Sequence, residues 1–388
     1  MARIAGGGAA GILTAVMGSL VAAGGASAAP YKVTEYLGDH RYFGLNDRGQ
    51  VFGTAGEGPS SRAFVFDSLG PGRYRIMDEP TAPGGVTGGR GDVFVTPPGP
   101  GPHAVYDVET GRAALLDLPE PYRIGVKTVD GAGRMYGETR HGEPVIPIPG
   151  SPTEPSPYYS RPFVAEDGKV RELDLPAGMG HATLAGVNAA GDVLIQAGVD
   201  ANDAPEAYLL RDGAWTHLGA FQGRGLNDRG DVLGFVRLEG PAGGIISTLI
   251  PADGSEPIAL GDLAGAHTTF PFAINNRGEV MGYGFFTGGV STPFIYRDGV
   301  ATDLNALIER AGVFGELQVR FIHSINSLGQ ILASGTDGDR QVNFLLSPGD
   351  LDVAEGVFDT PNVPEPSALL VFAGLALGAG LVRRGRRG

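Results

Sequence analysis

A nine-residue pattern returns along this chain at intervals that few folds can produce. Aligned on a turn glycine, it reads LNDRGQVFG around Gly49, TGGRGDVFV around Gly91, VDGAGRMYG around Gly133 and VNAAGDVLI around Gly191. It continues as LNDRGDVLG around Gly230, INNRGEVMG around Gly278 and INSLGQILA around Gly329. Each copy brings an apolar residue into a polar turn and leaves on alternating apolar residues, which is the form of a tight β-hairpin. Asn and Asp satisfy turn backbone with their own side chains, and Gly takes a positive φ. Successive glycines lie 42, 42, 58, 39, 48 and 51 residues apart. That is the period of a propeller blade or solenoid unit built from several short strands.

Each unit has a second half. An apolar strand follows a loop of variable length: AFVFD from Ala63, HAVYD from His103, PFVAEDG from Pro162, AYLLRDG from Ala207, STLIPADG from Ser247, PFIYRDG from Pro293 and NFLLS from Asn343. Asp-Gly pairs at 167, 212, 253 and 298 mark further hairpins, and a last strand ends on Leu118, Leu175, Leu218, Leu263 or Leu304. Four strands per unit is a propeller blade. The seventh unit lacks its final strand, whereas VTEYLG (Val33 to Gly38) precedes the first unit and belongs to none. An N-terminal strand completing the last blade would leave no open sheet edge. The expected fold is therefore all-β, a seven-bladed β-propeller over residues 29–348 closed by its N-terminal strand. A six-bladed ring with one degenerate unit and an open solenoid are the alternatives.

Composition bears on what such a scaffold can bind. Gly 65 and Pro 29 make about a quarter of the chain, near the level of low complexity, but here they punctuate strand-like runs. With no cysteine, stability rests on burial and sheet pairing rather than disulfides. The formal charge is −14, and without the five arginines of the two ends 24 basic residues face 43 acidic ones. A surface this acidic argues against nucleic acid as a partner and favours solubility.

The ends carry a different kind of signal. Met1 to Pro30 holds Arg3, an apolar run from Ile12 to Val21, and Ala26-Ser27-Ala28. The small residues Ala26 and Ala28 fit a signal peptidase site, so residues 1–28 are expected to be a signal peptide. After an acidic linker, 349–362, come Val363, Pro364, Glu365 and Pro366, an apolar segment from Ser367 to Val382, and Arg383, Arg384, Arg386 and Arg387. Sixteen Gly-containing residues make a short hydrophobic helix, a weak anchor whose arginines mark the side that stays inside.

Motif, helix, basic tail and terminal position together make residues 363–388 resemble a PEP-CTERM sorting segment. The repeats in turn resemble the HAF-type extracellular repeat family, whose units carry INxxGxVxG followed by an aromatic-rich AF strand. Together these resemblances imply export in a Gram-negative bacterium and transient anchoring of a transmembrane helix in the inner membrane. They also imply processing by an exosortase, and association with the cell surface or exopolysaccharide. They imply no established catalytic activity and no cofactor.

Nucleophile elbows, metalloprotease motifs, phosphate-cradling loops and clustered His or Cys ligands are absent from the sequence. His40, His103, His141, His181, His217, His267 and His323 are scattered, and no metal site is expected. Asp47 and Asp228 sit in repeat turns and read as turn caps; Asp200, Asn202, Asp203 and Glu206 lack a defined calcium spacing. Arg90-Gly91-Asp92 spells an adhesion tripeptide inside a degenerate turn, and Trp215 lies on a final strand. The strongest candidate for recognition is the Pro-rich insertion Glu138 to Pro162, with Arg140, His141, Tyr158 and Tyr159. Aromatic faces beside hydrogen-bonding groups grip sugar rings. Both hairpin types fall on one face of the disc and every length variation on the other, where function is expected. The expected function is non-enzymatic binding of polysaccharide or a surface protein, with a glycan hydrolase or lyase and a ligand-free spacer as alternatives.

Overall fold

The computed structural model describes residues 30–37, 41–55, 62–69, 74–80, 93–95, 103–106, 113–116, 126–141, 159–166, 169–198, 206–238, 244–309 and 316–351. After β1 (Tyr31–Tyr36), the chain lays down antiparallel sheets in which neighbours in sequence are neighbours in space. The first blade is β2 (Arg41–Leu45), β3 (Gln50–Ala55), β4 (Arg62–Asp67) and β5 (Tyr74–Pro80). A three-stranded sheet follows, β6 (Val93–Val95), β7 (His103–Tyr106) and β8 (Ala113–Leu116). The next blades are β9 (Val126–Val129), β10 (Met135–His141), β11 (Tyr159–Glu166) and β12 (Lys169–Glu172), then β13 (His181–Val187), β14 (Val193–Gly198), β15 (Glu206–Arg211) and β16 (Ala214–Gly219). They are followed by β17 (Phe221–Leu226), β18 (Val232–Arg237), β19 (Ile245–Ile250) and β20 (Ile258–Ala259), and by β21 (Thr268–Ile274), β22 (Val280–Phe285), β23 (Ser291–Arg297) and β24 (Val300–Asp303). One helical turn, α1 (Leu304–Leu307), is capped by the Asp303 side chain, which accepts from Asn305 N at 2.8 Å. The last blade is β25 (Leu317–Ile325), β26 (Ile331–Asp337), β27 (Arg340–Pro348) and, at its edge, β1.

The ring closes through β1, whose Tyr31 pairs with Pro348 and Tyr36 with Phe344. Blade number departs from the expectation of seven: six units form complete four-stranded blades, and the unit of Gly91 forms only β6 to β8. What that unit lacks among the described residues is an innermost strand. The sequence TAPGGVTGGR, residues 81–90, offers neither the apolar alternation nor the Asn found in the first strands and turns of most other units, and it lies outside the described residues. The unit of Gly133, equally poor in sequence, is nevertheless a full blade, because Asp130 takes the place of Asn.

Among the described residues the core is divided, and apolar clusters fill five of the gaps between neighbouring blades. Leu194, Ala207 and Leu209 of one blade meet Phe221, Val232 and Val236 of the next, and Leu233, Leu260 and Leu263 meet Val280, Phe294 and Tyr296. A blade is thus covered on both faces, so its second strand is buried throughout, as β14 is. Among the described residues no helix is long and apolar enough to cross a membrane. The expected signal peptide at 1–28 and sorting segment at 363–388 lie outside the described residues.

Candidate functional site

Six of the repeat turns build one end of a central channel. In each, the glycine has a positive φ, as at Gly230 (87°), where a Cβ would also collide with the Arg211 guanidinium. The buried Asn227 Oδ1 accepts from Asp231 N at 2.9 Å, while its Nδ2 donates to Asp231 Oδ2 at 2.9 Å and to Asn275 O of the next blade at 3.0 Å. Asn275 repeats this toward Asn326 O at 2.8 Å, and Asn326 toward Asn46 O at 2.9 Å, across the point where the ring closes. Asp47 and Asp228 are not the turn caps they were expected to be. Asp47 Oδ1 accepts from Ser327 N at 2.6 Å and Asp228 Oδ1 from Ala189 N at 2.7 Å, each reaching another blade's turn. Asn276 Nδ2 donates to both carboxylates, at 3.1 and 2.7 Å. These polar turns and the apolar residue before each, such as Leu45, Val129, Leu226 and Ile274, together line a cavity of about 220 Å³ at this mouth.

Further from the turns the inner strands do something the repeat pattern does not announce. Pairing of β17 with β18 passes from Gly223 to Gly225, leaving Arg224 unpaired in a bulge. At the equivalent position, three residues before the turn Asn or Asp, β2 leaves out Phe43, β9 Lys127, β13 Ala185, β21 Phe272 and β25 His323. A bulge re-aims the extra side chain, and bulges cluster beside functional sites. Here Lys127, Ala185, Arg224 and Phe272, from four blades, line one cavity of about 280 Å³ in the channel. The bulge geometry is constant and the residue in it differs from blade to blade.

Charge within this cavity is uneven. Lys127 Nζ pairs with Glu138 Oε1 at 2.6 Å, and the same oxygen accepts from Leu184 N at 2.6 Å. Arg224, by contrast, has no carboxylate partner among the described residues. Its guanidinium lies 4.7 Å from the Phe270 ring centroid and 5.3 Å from that of Phe235, and Arg237 lies 5.6 Å from Phe235. Burial, and then the charge of Arg237, hold the Arg224 pKa below the ordinary arginine value. Phe272 is 44% exposed and Phe321, on β25, 61%. His323 Nε2 lies 3.0 Å from Ser334 Oγ, and burial lowers its pKa.

The residues singled out in the sequence fall elsewhere. Arg140 and His141 end β10 and Tyr159 begins β11, paired Arg140 to Ser160 and His141 to Tyr159, at the blade end away from the turns. Tyr158, Asp200, Asn202, Asp203, the Arg90-Gly91-Asp92 tripeptide and all the sorting residues lie outside the described residues. Glu206 is engaged by His217, 2.8 Å from Nε2. Trp215 Nε1 donates to Asp174 O at 2.9 Å while its ring packs on an inter-blade cluster, a structural placement. No group of three His, Cys, Asp or Glu able to hold a metal occurs among the described residues. Arg224 and Phe272 escaped sequence reading, although one signal was present: the position three before the turn reads Phe, Lys, Ala, Arg, Phe, His, while the position directly before the turn is always apolar.

No protein-family model and no curated protein matches the chain. Among solved structures it is similar to the acylaminoacyl peptidase of Pyrococcus horikoshii, with a TM-score of 0.57 and 12% identity over 88% of this chain and 56% of that one. It is also similar to the β-propeller domain of the Trilobed protease from Pyrococcus furiosus, reported to have an open velcro topology, with a TM-score of 0.50, 12% identity, and coverage of 70% and 85%. A streptogramin B lyase is more distant, with a TM-score of 0.46 and 15% identity. The chain thus spans little more than half of the peptidase it matches. At such identities the likeness shows the β-propeller fold and leaves activity open.

Proposed function

We propose that this is an exported, non-enzymatic propeller of the cell envelope or extracellular matrix that binds polysaccharide through the channel mouth opposite the repeat turns. The observation that carries this reading is the bulge ring, which brings cationic and aromatic side chains of three blades, Lys127, Arg224 and Phe272, into one cavity on a rigid scaffold. Export, anchoring and exosortase processing at Val363 to Pro366 belong to the same proposal and rest on the two terminal sequences. The position of the ring's ends is compatible with them: Gly349 N donates to Pro30 O at 2.7 Å, so both ends leave together on the face of the repeat turns. A tether there would leave the bulge cavity facing outward.

The enzymatic alternative needs two carboxylates about 5–9.5 Å apart at a bound sugar. Asp47 and Asp228 come together only at the mouth lined by the repeat turns, where both accept backbone N–H groups. Glycan-array screening of the purified chain tests the proposal. Retention of a polysaccharide that Phe272→Ala weakens is expected, and no retention on any glycan would sink it.

A further inference from the structure

We infer that the sugar taken by this channel mouth is a carboxylated one, a uronate unit, and that Arg224 is the residue that reads its carboxylate; this rests on the glycan-binding reading above. Arg224 occupies the bulge of β17 and lines the 280 Å³ cavity. That volume is at the small end of ligand pockets, about 300–1,000 Å³, so it suits one sugar residue of a chain. The Arg224 guanidinium rests against both Phe270 and Phe235, 4.7 and 5.3 Å from their centroids, which lie 5.0 Å apart. A guanidinium carries its N–H donors in one planar fork, which a carboxylate meets bidentately.

Charge balance selects the ligand's sign. The other cation of the cavity, Lys127, is already neutralised by Glu138 at 2.6 Å, whereas Arg224 and its neighbour Arg237 repel one another with no carboxylate between them among the described residues. Both guanidinium groups are exposed, and within a chain of net charge −14 they form a local cationic spot that an anionic group can approach and pair with. Phe272, 44% exposed in the same cavity, supplies the apolar face on which the C–H side of a sugar ring packs.

The test measures binding of the purified full chain to polygalacturonate, uncharged dextran and dextran sulfate at two salt concentrations. The expected result is preference for polygalacturonate, weakened by salt, with Arg224→Gln reducing that affinity at least about tenfold and leaving the thermal midpoint unchanged. Should Arg224→Gln fail to fold, Arg224→Lys keeps the charge, loses the fork and is expected to weaken polygalacturonate binding in the same direction. Equal binding of dextran, indifferent to Arg224→Gln, would overturn the carboxylate assignment and leave the glycan reading standing. Dextran sulfate held as tightly as polygalacturonate, in wild type and variant alike, would also overturn it. No binding to any of the three would overturn the glycan reading itself.

Discussion

A single amide side chain does three jobs in the repeats of Gly230, Gly278 and Gly329. Asn227 caps its own turn through Oδ1, donates to Asp231, and donates to the next blade's backbone at Asn275 O. Asp231 is held below the ordinary carboxylate pKa: burial alone would raise it, but donors from Asn227, Ala252 N and Arg229 outweigh burial. Its contribution to stability is therefore present above the unfolded carboxyl pKa of about 3.9 and fades as pH falls through the lower folded value. Asn227→Ala should cost about 2–4 kcal/mol at neutral pH, since it strips three hydrogen bonds and leaves buried partners unsatisfied. Urea midpoints measured from pH 6 down to pH 3 should show the gap from wild type narrowing below pH 4. An unchanged gap would remove Asp231 from the account. The repeated Asn was legible as a turn former; its third bond was not, because the partner carbonyl lies 48 residues away.

At the scale of elements, the edge strand β1 is the piece on which closure depends. Beyond its ladder with β27, Tyr31 is buried between blades, where burial raises its pKa and Arg297 Nη2 donates to its hydroxyl at 2.8 Å. Arg297 lies 2.6 Å from the buried carboxylate of Glu279, so one guanidinium serves the edge strand and the preceding blade together. Arg297→Met would leave Glu279 buried without its main counter-charge, an expected loss of about 3–5 kcal/mol in chemical denaturation. It should also increase hydrogen exchange along β1 more than along β26. Uniform exchange along both strands would show that β1 is held by its ladder alone. The closing strand could be foreseen by counting final strands. That the Gly91 unit shows only three strands among the described residues could be suspected from its lost Asn, but not settled from it, since the Gly133 unit lost the same Asn and kept its blade.

For the whole molecule, topology separates attachment from recognition. Repeat turns and both ends of the ring share one face, and the bulged residues lie further along the inner strands from it. A bulky domain fused after Gly349 should leave glycan retention unchanged in a pull-down. Lost retention with that fusion would place the binding mouth on the turn face.

The sequence by itself determined the repeat period, the turn-forming residues and the closing strand, because period, Asn-x-x-Gly spacing and alternation are local properties that neighbouring residues enforce. Only the tertiary structure decided which blades were complete and which residues meet in the channel. Arg224, Phe272 and Lys127 lie about 50 to 145 residues apart in sequence and share a cavity only because six inner strands, each bulged at the same position, converge on one axis.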